Sequence, residues 1–162
     1  MALEIEWKLL VTHLPALPDF AGVRIDQGYL DADGRPSVRA RVKGDRGFLN
    51  LKAEVEGTRR EGVPQTCHEF DYEIPLADAE QLLELSRHRV EKTRYVFPNG
   101  LELDVFHGRH AGLVVAELEV EEGAPPPSEP EGWRWQDVSS DRRFSNRWLA
   151  EHGLPDGVQL AL

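Results

Sequence analysis

Leu3-Glu4-Ile5-Glu6-Trp7-Lys8-Leu9 alternates between apolar and charged side chains at every position. Because successive side chains of a β-strand point to opposite faces, this stretch predicts a strand with one apolar and one charged face. An antiparallel sheet that packs one face and leaves the other in water produces the same pattern. The remaining strands therefore decide whether the charged face has a function.

The same alternation recurs in seven further stretches, so that eight strands are predicted. These stretches are residues 24–30, 38–43, 49–52, 69–74, 92–97, 101–105 and 114–121. The connections at residues 32–36, 43–47 and 98–100 are rich in Gly, Pro, Asn and Asp, which are typical turn residues. Short turns of this kind favour antiparallel neighbours.

Two helices are predicted beside the strands. Residues 77–88 follow Pro75 and carry acidic side chains in the first turn, where the helix dipole favours negative charge. Residues 140–152 have Ser139 or Ser140 as a candidate cap and end at Gly153. Residues 122–132 are rich in Pro, Glu and Gly and are expected to form a mobile loop within one domain spanning residues 1–162.

Composition excludes several classes of protein. The 162 residues carry a formal charge of −10, and 40% of them are hydrophobic, which is enough for a core. The acidic balance argues against nucleic-acid and membrane partners, and no apolar run resembles a membrane span or a signal peptide. Cys67 is the only cysteine, so an internal disulfide and a thiolate metal cage are excluded. We expect a cytoplasmic protein, and an apolar outer wall would allow a homodimer.

The signs of the charges are segregated along the strands. Basic side chains share the faces of residues 39–43 and 92–94, and acidic ones share those of residues 69–73, 102–104 and 117–121. Like charges at neighbouring positions of a sheet repel, so blocks of one sign favour faces that line two sides of a cavity. An eight-stranded barrel has room for one small ligand. A small polyphosphate would be complementary in charge to the basic wall. Carboxylates without nearby His or Cys ligands favour Mg²⁺ or Mn²⁺. A solvated sheet face is the alternative.

Motifs along residues 3–152 resemble those of the CYTH superfamily, the triphosphate tunnel metalloenzymes. The N-terminal stretch, residues 4–8, is similar to the family's ExExK signature. The other motifs are residues 27–30 (QGYL), 38–42 (VRARV), 51–52 (LK), 69–74 (EFDYEI), 91–95 (EKTRY), 102–106 (ELDVF), 116–120 (AELEV) and 141–146 (DRRFSN).

The resemblance implies a fold and an activity. The fold is mainly β (α+β), an eight-stranded antiparallel tunnel barrel with flanking helices and a C-terminal helix. The activity is hydrolysis of a triphosphate with one or two Mg²⁺ or Mn²⁺ ions, most simply of inorganic tripolyphosphate to pyrophosphate and phosphate, as in the short bacterial inorganic triphosphatases. The alternatives are an adenylate cyclase or a thiamine or nucleoside triphosphatase on the same scaffold, and a polyphosphate-binding module without turnover.

The resemblance also implies the roles of individual residues. Phosphate oxygens are expected to contact Lys8, Arg39, Arg41, Lys52, Lys92 and Arg94, with Arg143 at one mouth of the tunnel. One metal ion is expected on Glu4, Glu6 and Glu119, and a second on Glu73, Asp104 and Glu117. Glu4, Glu6, Lys8 and Lys92 are the expected catalytic residues. The alternative for each carboxylate is a structural ion pair with a basic residue of a neighbouring strand.

The sequence departs from the family pattern in two places. Trp7 replaces a usual arginine, but its place in the alternation is on the apolar face, where it is expected to pack. Cys67 and His68 stand where the family often has an arginine just before the acidic strand. This second departure puts one contact to phosphate in question.

Overall fold

A computed structural model describes residues 3–162, which contain nine strands and two α-helices. The strands are β1 (Leu3–His13), β2 (Val23–Tyr29), β3 (Ser37–Lys43), β4 (Arg46–Glu54), β5 (Gln65–Ile74), β6 (His88–Val96), β7 (Glu102–Phe106), β8 (Val114–Glu119) and β9 (Arg134–Asp137). The helices are α1 (Leu76–Leu85) and α2 (Asn146–His152). The predicted domain of residues 1–162 begins with two residues that lie outside the described part.

Eight of the strands close into a barrel, which confirms the predicted architecture. The order around the barrel is β1-β5-β4-β3-β2-β6-β7-β8, and β8 pairs again with β1. All of these neighbours are antiparallel. Closure depends on β1, which pairs with β5 through residues 3–6 and with β8 through residues 6–10.

The ninth strand was not predicted. β9 pairs with residues 9–13 of β1, beyond the point where β5 ends its pairing with β1. It follows the connection of residues 122–132 and is four residues long. A strand this short carries almost no alternation of its own, and its pairing with β1 comes from tertiary contacts.

The barrel is apolar outside and charged inside. Alternate side chains of β1, from Trp7 to Val11, pack into an apolar core on the outside of the barrel. Trp7 in this core is 1% exposed, as its place in the alternation predicted. The core is formed by Trp7, Leu9, Val11, Leu14, Leu101, Leu103, Val105, Val114, Ala116 and Trp133. Burial of each large side chain contributes roughly 1.5–3 kcal/mol, so this outer layer is a main source of stability for the charged interior.

The inward face changes from charged to apolar toward one end of the barrel. On β1 the next inward residue after Lys8 is Leu10, and on β6 the one before Lys92 is Val90. Leu10 and Val90 are buried in a cluster with Phe144, Leu149 and Ala150 of the C-terminal segment. The C-terminal helix therefore covers this end of the lumen.

The helix bounds differ from the predicted ones. α1 ends at Leu85, because Ser86 is extended and β6 begins at His88. The predicted helix of residues 140–152 is divided, because Ser145 is extended and caps α2 by accepting a hydrogen bond from the Trp148 N–H. A 3-10 turn at Arg142–Phe144 precedes it. Among residues 3–162, no helix is long and apolar enough to cross a membrane.

Asp31 connects the β2–β3 turn to α2. Its carboxylate accepts hydrogen bonds from the N–H groups of Gly34 and Val38 (2.7 Å for Val38) and from Arg147 of α2 at 2.8 Å. Burial raises the pKa of Asp31, but the hydrogen bonds from Val38 and Arg147 outweigh it and lower the pKa overall. The ionised form of Asp31 therefore stabilises the folded state.

We expect Asp31→Asn to lower the free energy of unfolding by about 1.5–3 kcal/mol at pH 7, the range for hydrogen bonds to a charged group. A carboxyl with a lowered folded pKa stabilises above its unfolded pKa, here about 3.8, and that stability is lost as the pH falls through the folded pKa. Urea unfolding at pH 7 and at pH values below about 4 should show the difference between variant and wild type shrinking in acid. A difference that does not change with pH would contradict this role.

Candidate functional site

A cavity lies in the lumen of the barrel and is lined almost entirely by charged side chains. Its walls come from seven strands and from the first residue of α2. The lining residues are Glu4, Glu6, Arg39, Arg41, Lys52, Glu69, Lys92, Arg94, Glu102, Glu117 and Asn146. The free volume in the lumen is about 50 Å³. The side chains themselves fill the lumen through ion pairs.

One group of ion pairs gathers around Lys52. Its Nζ lies 3.0 Å from Oε1 of Glu4, 3.7 Å from Oε1 of Glu6 and 3.6 Å from Oε2 of Glu69. Burial lowers the pKa of Lys52, but Glu6 and Glu4 outweigh it and raise the pKa. One ammonium thus faces three carboxylates from two strands.

Glu6 is the least compensated of these carboxylates. Glu6 is 5% exposed, and its Oε1 accepts no hydrogen bond. Burial, followed by the charge of Glu117, raises the pKa of Glu6 to about 8. A buried carboxylate with an oxygen that lacks a donor is a site that a further cation would stabilise.

Glu119 extends this group toward solvent. It lies opposite Glu6 in the β1–β8 register, its side chain is exposed, and burial and then the charges of Glu4 and Glu69 raise its pKa. The donors of Glu4, Glu6 and Glu119 are all carboxylate oxygens, which fit Mg²⁺ or Mn²⁺. No group of three or more His, Cys, Asp or Glu in residues 3–162 already has the spacing of a metal site. We attribute this to Lys52, whose ammonium lies between these carboxylates.

A second group is built on Asp104, which has no exposed surface. Its Oδ2 accepts from Lys92 Nζ at 2.7 Å and from Arg94 Nη2 at 2.8 Å, and its Oδ1 accepts from Arg94 Nε at 2.7 Å. Burial raises the pKa of Asp104, but Arg94 and Lys92 outweigh it and lower the pKa. Both oxygens are therefore engaged with basic side chains, as expected for a structural ion pair.

Lys92 is held at the covered end of the cavity. It is 1% exposed and donates to Oδ1 of Asn146 at 3.0 Å as well as to Asp104. Burial lowers the pKa of Lys92 to about 8 against the opposing effect of Asp104. The ammonium is thus fixed in position by one neighbour from the barrel and one from α2.

Arg39 and Arg41 have no such partners. Arg39 donates to the Tyr29 hydroxyl at 3.4 Å and Arg41 donates to Oε1 of Gln27 at 3.1 Å. Neither forms an ion pair within 4.0 Å with a carboxylate of residues 3–162, and the buried Nε of Arg39 has no acceptor. Burial and the neighbouring Arg39 and Arg94 lower the pKa of Arg41 to about 10. These two guanidinium groups lack an anion.

The structure places most of the predicted site residues together. Inside the cavity lie Glu4, Glu6, Arg39, Arg41, Lys52, Lys92, Arg94 and Glu117. Lys8 borders it, 5% exposed, with its Nζ 3.9 Å from Glu117 and 3.4 Å from the Phe144 carbonyl. Asp104 lies behind Lys92 and Arg94.

Five predicted residues do not line the cavity. Lys8, Asp104 and Glu119 adjoin it, whereas Glu73 and Arg143 lie apart from it. Glu73 is exposed and pairs with Arg46, because the inward face of β5 reaches the rim of the barrel at this residue. Arg143 is exposed, pairs with Asp141 at 2.7 Å, and lines a separate outer cleft beside residues 155–159. Neither Glu73 nor Arg143 therefore lies beside the other residues that were predicted to bind metal or phosphate.

Three cavity residues were not among the predicted ligands. Alternation places Glu69 and Glu102 on the inward face, but it does not separate ligands from ion-pair partners. Asn146 comes from α2, and only the DRRFSN motif points to it. At the position of the expected arginine, Cys67 is buried opposite Glu4, whereas His68 is exposed. The β4–β5 connection supplies Arg59, which binds Glu54, the neighbour of Cys67 on β4.

Comparisons with known proteins agree with this arrangement. The model of the CYTH domain family matches residues 2–144. An inorganic triphosphatase of Acetivibrio thermocellus is 34% identical over 94% of this chain and 96% of its own length. An inorganic triphosphatase of Nitrosomonas europaea is 34% identical over 91% of this chain and 96% of its own. A solved structure of the inorganic triphosphatase NE1496 superposes with a TM-score of 0.62 at 31% identity, covering 93% of this chain and 95% of that one.

Asp104 and Glu73 should differ sharply in their effect on stability. Asp104→Asn leaves Lys92 and Arg94 buried without their carboxylate, and we expect it to lower the free energy of unfolding by about 3–5 kcal/mol. Glu73→Gln removes an exposed ion pair and should leave the unfolding midpoint unchanged. Thermal and urea unfolding of both variants measure this, and an equal effect of the two substitutions would refute the division between buried and rim carboxylates.

Proposed function

The chain belongs to the CYTH domain family, and on that premise we propose that it is a metal-dependent inorganic triphosphatase that works inside the barrel. Its substrate is inorganic tripolyphosphate, and its products are pyrophosphate and phosphate. The curated relatives that carry the name inorganic triphosphatase support the choice of substrate. We also propose that residues 1–162 form one catalytic domain.

The observation that carries this proposal is the pair of unpartnered arginines in the cavity. Arg39 and Arg41 lie two residues apart on one face of β3 and have no carboxylate partner within the described residues. Buried charges require a counter-charge, and guanidinium groups bind phosphate oxygens in a bidentate manner. A small polyphosphate in the lumen supplies the missing negative charge.

The carboxylates around Lys52 are the proposed metal site. Glu4, Glu6 and Glu119 would hold one Mg²⁺ or Mn²⁺ ion, and the oxygen of Glu6 that lacks a donor supports this choice. When bound, a divalent ion neutralises phosphate charge and polarises the P–O bonds. Both oxygens of Asp104 accept hydrogen bonds from Lys92 and Arg94, and Glu73 lies at the rim, so this arrangement supports one ion in preference to two.

The protein residues then act mainly by position and charge. Arg39, Arg41 and Arg94 bind non-bridging oxygens, and Lys8 and Lys92 stabilise charge at the covered end of the lumen. Water attacks a terminal phosphorus, a new P–O bond forms, and the bridging P–O bond breaks with pyrophosphate as leaving group. Phosphoryl transfer needs positioning and charge stabilisation more than a protein nucleophile, so Ser or Cys chemistry is not required. Three expectations stay predictions: that the protein has no nucleic-acid or membrane partner, that it can form a homodimer, and that it is cytoplasmic.

Phosphate release from a panel of substrates tests the proposed activity. Tripolyphosphate should be hydrolysed with Mg²⁺ or Mn²⁺ and not with chelator. ATP and thiamine triphosphate should be poorer substrates because the cavity is lined by charged side chains and offers little to a base or a thiazole ring. Pyrophosphate should be poorer because it has one phosphate group fewer to contact the basic residues. Preferred turnover of ATP to a cyclic product would instead indicate a cyclase. Tripolyphosphate binding without turnover would indicate a binding module.

Glu4→Gln should reduce tripolyphosphate hydrolysis at least about 100-fold, because loss of a metal ligand removes several kcal/mol of transition-state stabilisation. The exposed helix substitution Glu80→Gln changes the net charge equally and should keep full activity. Both variants should retain the wild-type circular dichroism spectrum. Full activity of Glu4→Gln would remove this residue from the metal site.

A further inference from the structure

Lys52 occupies the position where a metal would be expected. Its Nζ is within 4 Å of Glu4, Glu6 and Glu69, and the side chains of all four residues are at least three-quarters buried. The strongest contact, 3.0 Å, is to Glu4, a proposed metal ligand. Lys52 therefore neutralises part of the charge that a divalent ion would neutralise.

This placement distinguishes Lys52 from the other basic residues of the cavity. Lys92 and Arg94 pair mainly with Asp104, and Arg39 and Arg41 pair with no carboxylate of residues 3–162. Lys52 alone among the described lysines and arginines pairs with Glu4 and Glu6. Its compact ammonium on a flexible four-carbon chain is suited to move between partners, unlike the rigid fork of an arginine.

An ammonium and a divalent cation repel each other strongly at such short distances. The free volume of about 50 Å³ is small, so a polyphosphate that enters the lumen must displace some of the ion pairs across it. When Lys52 leaves Glu4 and Glu6, it needs a new anion within reach. A phosphate group in the lumen is that anion.

We propose that Lys52 is a built-in counter-ion of the metal site, which competes with the divalent ion at Glu4 and Glu6 and transfers to the polyphosphate when both ligands bind. This role rests on the proposed function. Lys52 thereby couples the two binding events: each ligand removes an obstacle to the other. Reciprocal coupling of this kind requires that metal raises the affinity for polyphosphate and polyphosphate raises the affinity for metal by the same factor.

Calorimetric titration with Mn²⁺ alone, in the absence of polyphosphate, tests the competition. Lys52→Met keeps the length of the side chain and removes the charge, so we expect it to bind Mn²⁺ at least about tenfold more tightly than wild type, within the usual range of coupling factors. Lys43→Met is the matched control, because Lys43 is exposed and the change in net charge is the same. The control should bind Mn²⁺ like wild type.

The second arm measures binding of imidotriphosphate, a non-hydrolysable analogue, in the presence of Mn²⁺. Here Lys52→Met should bind the analogue more weakly than wild type, so the same substitution has opposite effects on the two ligands. A merely structural role of Lys52 would weaken both. Unchanged or weaker Mn²⁺ binding by a folded Lys52→Met variant overturns the proposal.

Wild-type protein provides a further readout, in which a variant serves only to assign one signal. The chain contains four lysines, Lys8, Lys43, Lys52 and Lys92, so ¹³C-lysine labelling gives four side-chain signals. Mg²⁺ alone should shift the Cε signal of Lys52, assigned with Lys52→Arg, and should leave that of Lys43 in place. An unmoved Lys52 signal at saturating Mg²⁺ contradicts the competition. Hydrolysis of tripolyphosphate is not measured in these experiments, so failure of the proposed function and failure of this inference are separable.

Discussion

The structure depends on keeping many charged side chains inside a barrel. Asp104, with no exposed surface, holds Lys92 and Arg94 through three hydrogen bonds of 2.7–2.8 Å. Removing one member of such a buried group leaves an uncompensated charge, which is far more costly than losing a surface pair. The apolar outer core around Trp7 stabilises the fold that contains this group. The fold therefore depends on both the apolar outer core and the ion pairs in the interior.

Charge is compensated unevenly around the lumen. Asp104 balances the basic residues of β6, whereas Arg39 and Arg41 on β3 lack an anion and Glu6 on β1 has an oxygen without a donor. The cavity therefore combines guanidinium groups that lack an anion with a buried carboxyl oxygen that lacks a donor. A polyphosphate and a divalent cation, the ligands proposed here, would compensate both at once. The acidic net charge of the whole chain therefore does not exclude an anionic ligand.

Alternation in the sequence predicted which strands form and which side chains point inward, because the period of two is imposed by the backbone. It did not predict how deep an inward side chain lies. Glu69 and Glu73 share a face of β5, yet one lines the cavity and the other pairs with Arg46 at the rim. Depth depends on the relative shift of the strands, which is set by tertiary pairing. Asn146 and β9 were missed for the same reason, since both reach their places through contacts between segments distant in the sequence.

A crystal structure of the protein with Mn²⁺ and imidotriphosphate tests most directly the claim that the uneven charge of the lumen is a binding site. The account predicts anomalous scattering from manganese at Glu4 and Glu6, and phosphate groups in the lumen on Arg39 and Arg41. Manganese absent from these carboxylates, or an analogue bound in the outer cleft of Arg143 while the ion pairs of the lumen stay intact, would contradict it.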